Sequence, residues 1–131
     1  MSKIKNWLPE GFFFKKEATE KIGFQLVYDE LQLVIGTLWF EGGKWYFSYS
    51  EAFKAQKDLV PIVDFPDTNK VYESEDLWPF FISRIPSAAT PYVKRKIESN
   101  KIDKTSLIDM LKLFGENTIT SPFKLIFNPN F

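Results

Sequence analysis

Three segments in the first half of the chain carry the residue pattern of β-strands. They are residues 24–28, 33–40 and 45–49, and all are rich in β-branched and aromatic side chains, which favour extended backbone. Gly42 and Gly43 separate the last two segments and supply the positive φ angles of a tight turn. The pattern therefore predicts three consecutive strands, with a hairpin between the second and the third.

The third predicted strand has two chemically different faces. Alternation places Tyr46 and Ser48 on one face. The opposite, inward set is Trp45, Phe47 and Tyr49. We expect the inward set to form the sheet core, which leaves Tyr46 as a candidate contact for a partner. Gly36, inside the second strand, indicates a β-bulge or a close approach of two backbones.

The remaining pattern changes from strands to helices and back to a strand. Residues 51–57 predict a helical turn or a short connector. Residues 60–65 predict a strand at a sheet edge, because Pro61 has no N–H to donate to a second neighbour. Three short helices follow, and residues 122–127 predict a closing strand. This order is typical of an α+β fold with a mostly antiparallel sheet.

The starts of the three helices can be predicted from capping residues and prolines. In the first helix Asp76 is the expected N-cap, which puts Pro79 at the third helical position, where a missing N–H is tolerated. The second begins with Thr90 as cap and Pro91 at the first helical position. The third begins near residues 105–106.

The first of these helices carries more apolar bulk than one short amphipathic helix usually buries. Leu77, Phe80, Phe81 and Arg84 fall on one helical stripe, and Trp78 lies off it. Trp78 either folds back onto the core or stays exposed beside Pro79, and the pattern favours neither. An exposed Trp would be a good protein-binding anchor, since Trp and Arg are enriched at binding hot spots. The candidate partner-binding residues are Trp78, Pro79, Phe81, Arg84 and Tyr46.

Charge and composition narrow the classes of function. The chain of 131 residues has 17 basic and 17 acidic residues, so no net field attracts nucleic acid or an anionic membrane. The basic run at residues 94–96 is therefore interpreted as a solvated helix face. We expect no direct contact with nucleic acid and no membrane partner. Residues 1–7 lack a signal-peptide pattern, and no segment approaches the roughly 18 apolar residues of a spanning helix, which predicts a cytoplasmic protein.

Missing residue types argue against an enzyme. The chain has no Cys and no His, so disulfides, thiolate chemistry, a Ser–His pair and the commonest metal ligand are all excluded. The acidic residues between 64 and 76 are irregularly spaced, as expected of a solvated loop and a helix start rather than a cation site. We therefore expect no catalytic residue, no cofactor and no metal.

Three groups of segments resemble the N-terminal subdomain of HipA-family kinases. Residues 26–28, 34–38 and 45–49 are similar to the family's opening strand, "VGxL" strand and "F-x-Y" strand, in that order. Residues 72–81 resemble its "S-x-x-L-F-P-F-F" helix, with Ile85-Pro86 where the family has an "L-L-P" turn. The third helix and the residues after it resemble the Leu-rich helix and "Gly-x-Asp" segment that end the subdomain. The resemblance covers about residues 24–127.

The chain also departs from the family pattern. Pro86-Ser87-Ala88 replaces a "Pro-Glu/Asp-Gly/Ser" motif, and Ser121-Pro122-Phe123 stands where the family has "Gly-Ala-Val". Residues 1–23 are an expected N-terminal extension, and residues 24–131 are expected to form one domain. The printed chain ends where the kinase core of the family would begin, so no catalytic lobe is expected.

The resemblance implies a fold and a function. The expected fold is a small, barrel-like, mostly antiparallel sheet with about three short helices. The stand-alone form is similar to antitoxins of the HipS type from three-component HipBST toxin–antitoxin systems. It implies a non-enzymatic antitoxin that binds and neutralises a HipT-like serine/threonine kinase toxin, with a HipB-like DNA-binding protein in the same complex.

Two other functions remain open from the sequence. The chain could be an accessory subunit that docks on the kinase in the same way but supports its activity. It could also be an unrelated small-ligand binder, which would require a pocket between Trp39, Trp45 and Tyr46.

Overall fold

A computed structural model describes residues 21–116 and 121–131, which form an open antiparallel sheet with short helices. The strands are β1 (Lys21–Tyr28), β2 (Leu33–Glu41), β3 (Lys44–Tyr49), β4 (Tyr72–Ser74) and β5 (Phe123–Asn128), in the spatial order β4-β3-β2-β1-β5. The helices within these residues are α1 (Glu51–Ala55), α2 (Pro79–Ile82), α3 (Pro91–Asn100) and α4 (Leu107–Phe114). The predicted α+β class with an antiparallel sheet is confirmed, although the sheet does not close into a barrel.

The start of the first strand differs from its predicted position. β1 begins at Lys21, whereas the residue pattern placed the strand start at residue 24. Most of the predicted N-terminal extension, residues 1–20, lies outside the described residues. The division of the chain into an extension and one domain therefore stays a prediction.

The glycines of β2 and of its hairpin behave as predicted. Gly42 and Gly43 have φ angles of 58° and 82° and form the turn between β2 and β3. In the pairing of β1 with β2, Ile35 has no partner residue, so β2 bulges at this point. A Cβ atom on Gly36 would lie 2.3 Å from the carbonyl oxygen of Ser48, which shows a close approach of β3 as well.

The core lies on the face of the sheet that α2 covers. Trp45, Phe47 and Tyr49 are all buried there, which confirms the predicted inward set. The Phe47 ring is at the centre, with its centroid 4.4 Å from that of Phe65 and 5.7 Å from that of Phe81. Aromatic pairs at these separations add to the stabilisation that burial itself gives.

The predicted edge strand at residues 60–65 is wrong. This segment is an irregular loop, and the edge position is taken by β4. Pro61 has no N–H for a strand ladder, and the loop is fastened by one side chain instead. The Tyr49 hydroxyl donates to the carbonyl of Phe65 at 2.7 Å and accepts from the N–H of Ile62 at 2.9 Å. These two bonds fix the loop so that the Phe65 ring enters the core.

Replacing Tyr49 by Phe is expected to lower the free energy of unfolding by about 1–3 kcal/mol, since two backbone groups lose their partner. Burial raises the pKa of the Tyr49 hydroxyl above its ordinary value. The stabilisation from this proton is complete below the unfolded pKa of about 10 and is lost as the pH rises through the higher folded pKa. Urea titrations of the native protein and of Tyr49→Phe, at neutral and at alkaline pH, measure this difference in the free energy of unfolding. Tyr92→Phe, at an exposed tyrosine, is the control; an equal Tyr49→Phe difference at both pH values would contradict the assignment.

Two helix starts follow the prediction and one does not. Thr90 precedes α3, which has Pro91 at its first position, and the Ser106 hydroxyl caps α4. The predicted N-cap at Asp76 is wrong, because α2 begins with Trp78 as N-cap and Pro79 at the first helical position. Proline disfavours helical dihedrals in the residue before it, so Trp78 stays extended. The helix therefore begins two residues later than predicted.

Candidate partner-binding surface

Phe81 lies in the core and not on the surface. Its exposed fraction is 0%, and its ring contacts those of Phe47, Phe65 and Phe80 at centroid distances of 5.7, 6.0 and 5.1 Å. The sequence makes Phe81 a candidate partner-binding residue, but in the structure its ring packs toward the sheet. A partner cannot reach the Phe81 ring in this structure.

Trp78 is half-buried at the start of α2. Its ring meets that of Phe65 edge-on, with a centroid distance of 4.9 Å and an interplanar angle of 81°. The indole therefore folds back onto the core in part, which decides between the two alternatives that the sequence left open. The neighbouring Pro79 is exposed, and Ile82, one turn further on, is 44% exposed. We call Trp78, Pro79 and Ile82 the α2 surface.

Arg84 is buried and links three parts of the chain. It is 9% exposed, and its Nε donates to the carbonyl of Gly115 at 3.3 Å. Its terminal nitrogens donate to the Ser121 hydroxyl at 3.4 Å and to the carbonyl of Phe123. Burial lowers the pKa of Arg84, but the ordinary value of a guanidinium is so high that the group stays protonated.

The contacts around Arg84 cover the free edge of β5. The carbonyl of Phe123 accepts a hydrogen bond from the Arg84 guanidinium, and the N–H of Leu125 donates one to the carbonyl of Gly115 at 2.8 Å. Without these contacts, this carbonyl and this N–H would be open to pairing with another strand. A Cβ on Gly115 would lie 2.5 Å from the Leu125 carbonyl oxygen, so this approach of α4 to β5 needs glycine. Arg84 therefore acts as a structural link, a role that the helical stripe alone did not indicate.

Replacing Arg84 by Met is expected to reduce the free energy of unfolding by about 2–4 kcal/mol, because buried carbonyls lose charged donors while the side-chain bulk is kept. The matched control is Arg95→Met, at an exposed arginine, with an expected change below about 0.5 kcal/mol. Chemical denaturation of the three proteins measures both effects. Equal stability of the two variants would show that the Arg84 link does not stabilise the fold.

Tyr46 lies on the other face of the sheet from α2. It stacks on Trp39 with a centroid distance of 5.2 Å and an interplanar angle of 10°. Trp45 points to the opposite face, where it packs against Phe40 at 4.8 Å. Trp39, Trp45 and Tyr46 therefore do not enclose a common pocket. The structure also separates Tyr46 from Trp78, so a partner touching both would have to reach around the β4 edge.

The surroundings of β4 are acidic. Segment 57–76 contains two lysines and six carboxylates: Asp58, Asp64, Asp67, Glu73, Glu75 and Asp76. At the sheet, Lys44 Nζ lies 2.7 Å from Glu73 Oε2, and this hydrogen bond and charge raise the pKa of Lys44. Glu75 and Asp76 are exposed and lead directly into Trp78. A partner on the α2 surface thus meets apolar side chains beside negative charge.

Neither a cluster of metal-binding side chains nor a membrane-spanning helix occurs in the part of the chain that the structure describes. Among residues 21–116 and 121–131, no three Asp or Glu side chains come together in a group that could hold a metal ion. Within the same residues, every helix is too short to cross a membrane as an apolar span.

The comparison with protein families identifies the class of this domain. The family model described as the HipA N-terminal domain matches residues 27–120, a range that runs from β1 to just before β5. The chain therefore belongs to the HipA N-terminal domain family. A comparison with curated proteins gave no match. Family membership implies at most an association with HipA-like kinases, and the partner-binding role of Trp78, Pro79, Phe81, Arg84 and Tyr46 stays a prediction.

Proposed function

We propose that this chain is a HipS-like antitoxin, which binds a HipT-like serine/threonine kinase toxin in the cytoplasm and neutralises it. The observation that carries the proposal is the match to the HipA N-terminal domain over residues 27–120. Membership of this family implies association with a HipA-like kinase, and the proposal takes that kinase to be a separate toxin protein. A HipB-like DNA-binding protein is proposed as the third member of the complex.

The α2 surface is the proposed contact with the kinase. Trp78 presents a large ring that is held in place by Phe65, and Pro79 limits the backbone beside it. A side chain that is already ordered loses little conformational freedom on binding, so its contacts contribute more to affinity. The acidic residues before Trp78 favour a partner with basic side chains around an apolar pocket.

Of the five predicted contact residues, Trp78 and Pro79 are exposed enough on α2 to contact a partner directly. Phe81 and Arg84 are buried and act by holding α2 against the sheet. Tyr46 is half-exposed on the opposite face and forms part of the contact only if the kinase also covers the hairpin. We therefore propose Trp78 and Pro79 as the central contact, with Ile82 added from the structure.

The function is tested by expressing a HipT-like kinase from the same genome with and without this chain. An antitoxin predicts that the kinase alone stops growth, that co-expression restores growth, and that the two proteins co-purify. A kinase that is inert alone and active only with this chain would instead assign the role of accessory subunit. Absence of any complex between the folded proteins would remove both functions.

A further inference from the structure

A second exposed surface lies on α3 and on the turn that follows it. It consists of Tyr92, Lys94, Arg95, Lys101 and Lys104, and all five residues are exposed, Tyr92 by 60%. We call it the basic helix surface. It therefore brings four cations and an aromatic ring together within 13 residues of chain, two of the cations on α3 itself.

The fold holds this surface on a rigid support. Val93 and Ile97, on the opposite side of α3, are buried against Met110 and Phe114 of α4. The helix ends at Asn100, and the next residue, Lys101, has a φ of 53° that turns the chain away from the helix axis. Because α3 and α4 share a small core of their own, the position of α3 is set without any contribution from the α2 surface.

The cations of the basic helix surface are not neutralised within the described chain. The ion pairs of the described residues lie elsewhere, on the sheet and on α1. They are formed by Lys21, Lys44, Lys54 and Lys124, each of which has a carboxylate within 4.0 Å. None of these pairs includes a cation of the basic helix surface. The exposed side chains of the basic helix surface can therefore bind an external anion.

The acidic residues of the same segment do little to offset this charge. The Asp103 carboxylate accepts hydrogen bonds from the N–H and the hydroxyl of Thr105 at 2.9 and 2.7 Å. Glu98 is the other carboxylate between residues 91 and 104, against five basic residues. The zero net charge of the chain therefore conceals a basic surface on α3 and an acidic one around β4.

Against the expectation drawn from the zero net charge, we propose that the basic helix surface binds the phosphate backbone of nucleic acid. Phosphates are multivalent anions that adjacent Lys and Arg side chains bind with release of counterions, and an exposed aromatic ring among them stacks on bases. At 0.1 M salt the Debye length is about 10 Å, so the local cluster and not the sum over the chain governs the contact. Lys94 and Arg95 are the central phosphate contacts, and Tyr92 is the stacking residue.

Fluorescence anisotropy of a labelled single-stranded oligonucleotide and of its duplex tests the proposal. With about three phosphate contacts, affinity for at least one probe is expected to fall roughly 40-fold between about 50 and 200 mM salt. The variant Lys94→Ala/Arg95→Ala is expected to weaken binding about tenfold and to reduce the salt slope by about two. Circular dichroism checks that Lys94→Ala/Arg95→Ala and the control variant both stay folded.

A matched control removes the same charge from elsewhere. Lys21→Ala/Lys124→Ala lowers the net charge equally but acts on lysines that are ion-paired on the sheet. Its affinity for the probes should stay within about twofold of the native value, since neither lysine is a proposed phosphate contact. Equal weakening by both variants, or no binding of either probe, overturns the proposal. Binding of labelled polyglutamate alone, with the same dependence on Lys94 and Arg95, also overturns it and assigns the surface to an acidic protein.

Discussion

Trp78→Ala is expected to weaken binding to the kinase by about 30-fold or more and to abolish growth rescue. The loss corresponds to the roughly 2 kcal/mol or more that truncating a central aromatic anchor typically costs. Trp78 also packs on Phe65, so part of the effect on rescue could come from lower stability. Affinity must therefore be measured by calorimetry at a temperature where the thermal unfolding curve shows both proteins fully folded.

A second tryptophan provides the matched control for this experiment. Trp39 is also half-buried and stacks on an aromatic ring, but it lies on the opposite face of the sheet. Trp39→Ala should leave the kinase affinity within about twofold of the native value, because residues outside the central contact contribute little. If Trp39→Ala abolishes binding and Trp78→Ala does not, the kinase docks on the hairpin face and Tyr46 becomes the relevant contact.

Phe81→Ala is expected to lower the free energy of unfolding by about 3–5 kcal/mol, the usual effect of removing a fully buried aromatic side chain. The ring contacts Phe47 and Phe65 at the centre of the core, so the cavity would form where three aromatic groups meet. Urea denaturation followed by tryptophan fluorescence measures the loss. An effect below about 1 kcal/mol would contradict the position of Phe81 in the core.

A variant of Ile82, the residue after Phe81 in α2, distinguishes an effect on kinase binding from an effect on stability. Ile82 is 44% exposed, so Ile82→Ala should change stability by less than about 1 kcal/mol while weakening kinase affinity severalfold. If Phe81→Ala does not fold, Phe81→Leu keeps most of the core volume and should bind the kinase normally. Weak binding by folded Phe81→Leu, together with normal binding by Ile82→Ala, would show that the partner contacts the inner side of α2.

Features that depend on near neighbours in the chain could be predicted. The Gly42-Gly43 turn and the inward set of β3 follow from local dihedral preference and from alternation. The start of α3 at Pro91 and the Ser106 cap of α4 follow from the same kind of local chemistry. The family resemblance also rests on short segments and on their order, and the match over residues 27–120 confirms it.

Features that depend on distant residues could not be predicted. Residues 60–65 have the composition of a strand, but the Tyr49 hydroxyl donates one hydrogen bond to this segment and accepts another from it, which holds it as a loop. Arg84 fell on a plausible binding stripe, yet its partners are at Gly115 and Phe123, far along the chain. Residue spacing contains no information about such contacts, because they form only when separate elements pack together.

The sequence by itself determined the class of fold, the hairpin and the apolar character of residues 77–82, since each depends on local periodicity. The tertiary structure decided which of those apolar side chains a partner can reach. It placed Phe81 under the sheet, left Trp78 half-exposed on Phe65, and put Tyr46 on the other face. The reason is physical: which side chains are buried depends on the elements that cover them, and here those elements come from distant parts of the chain.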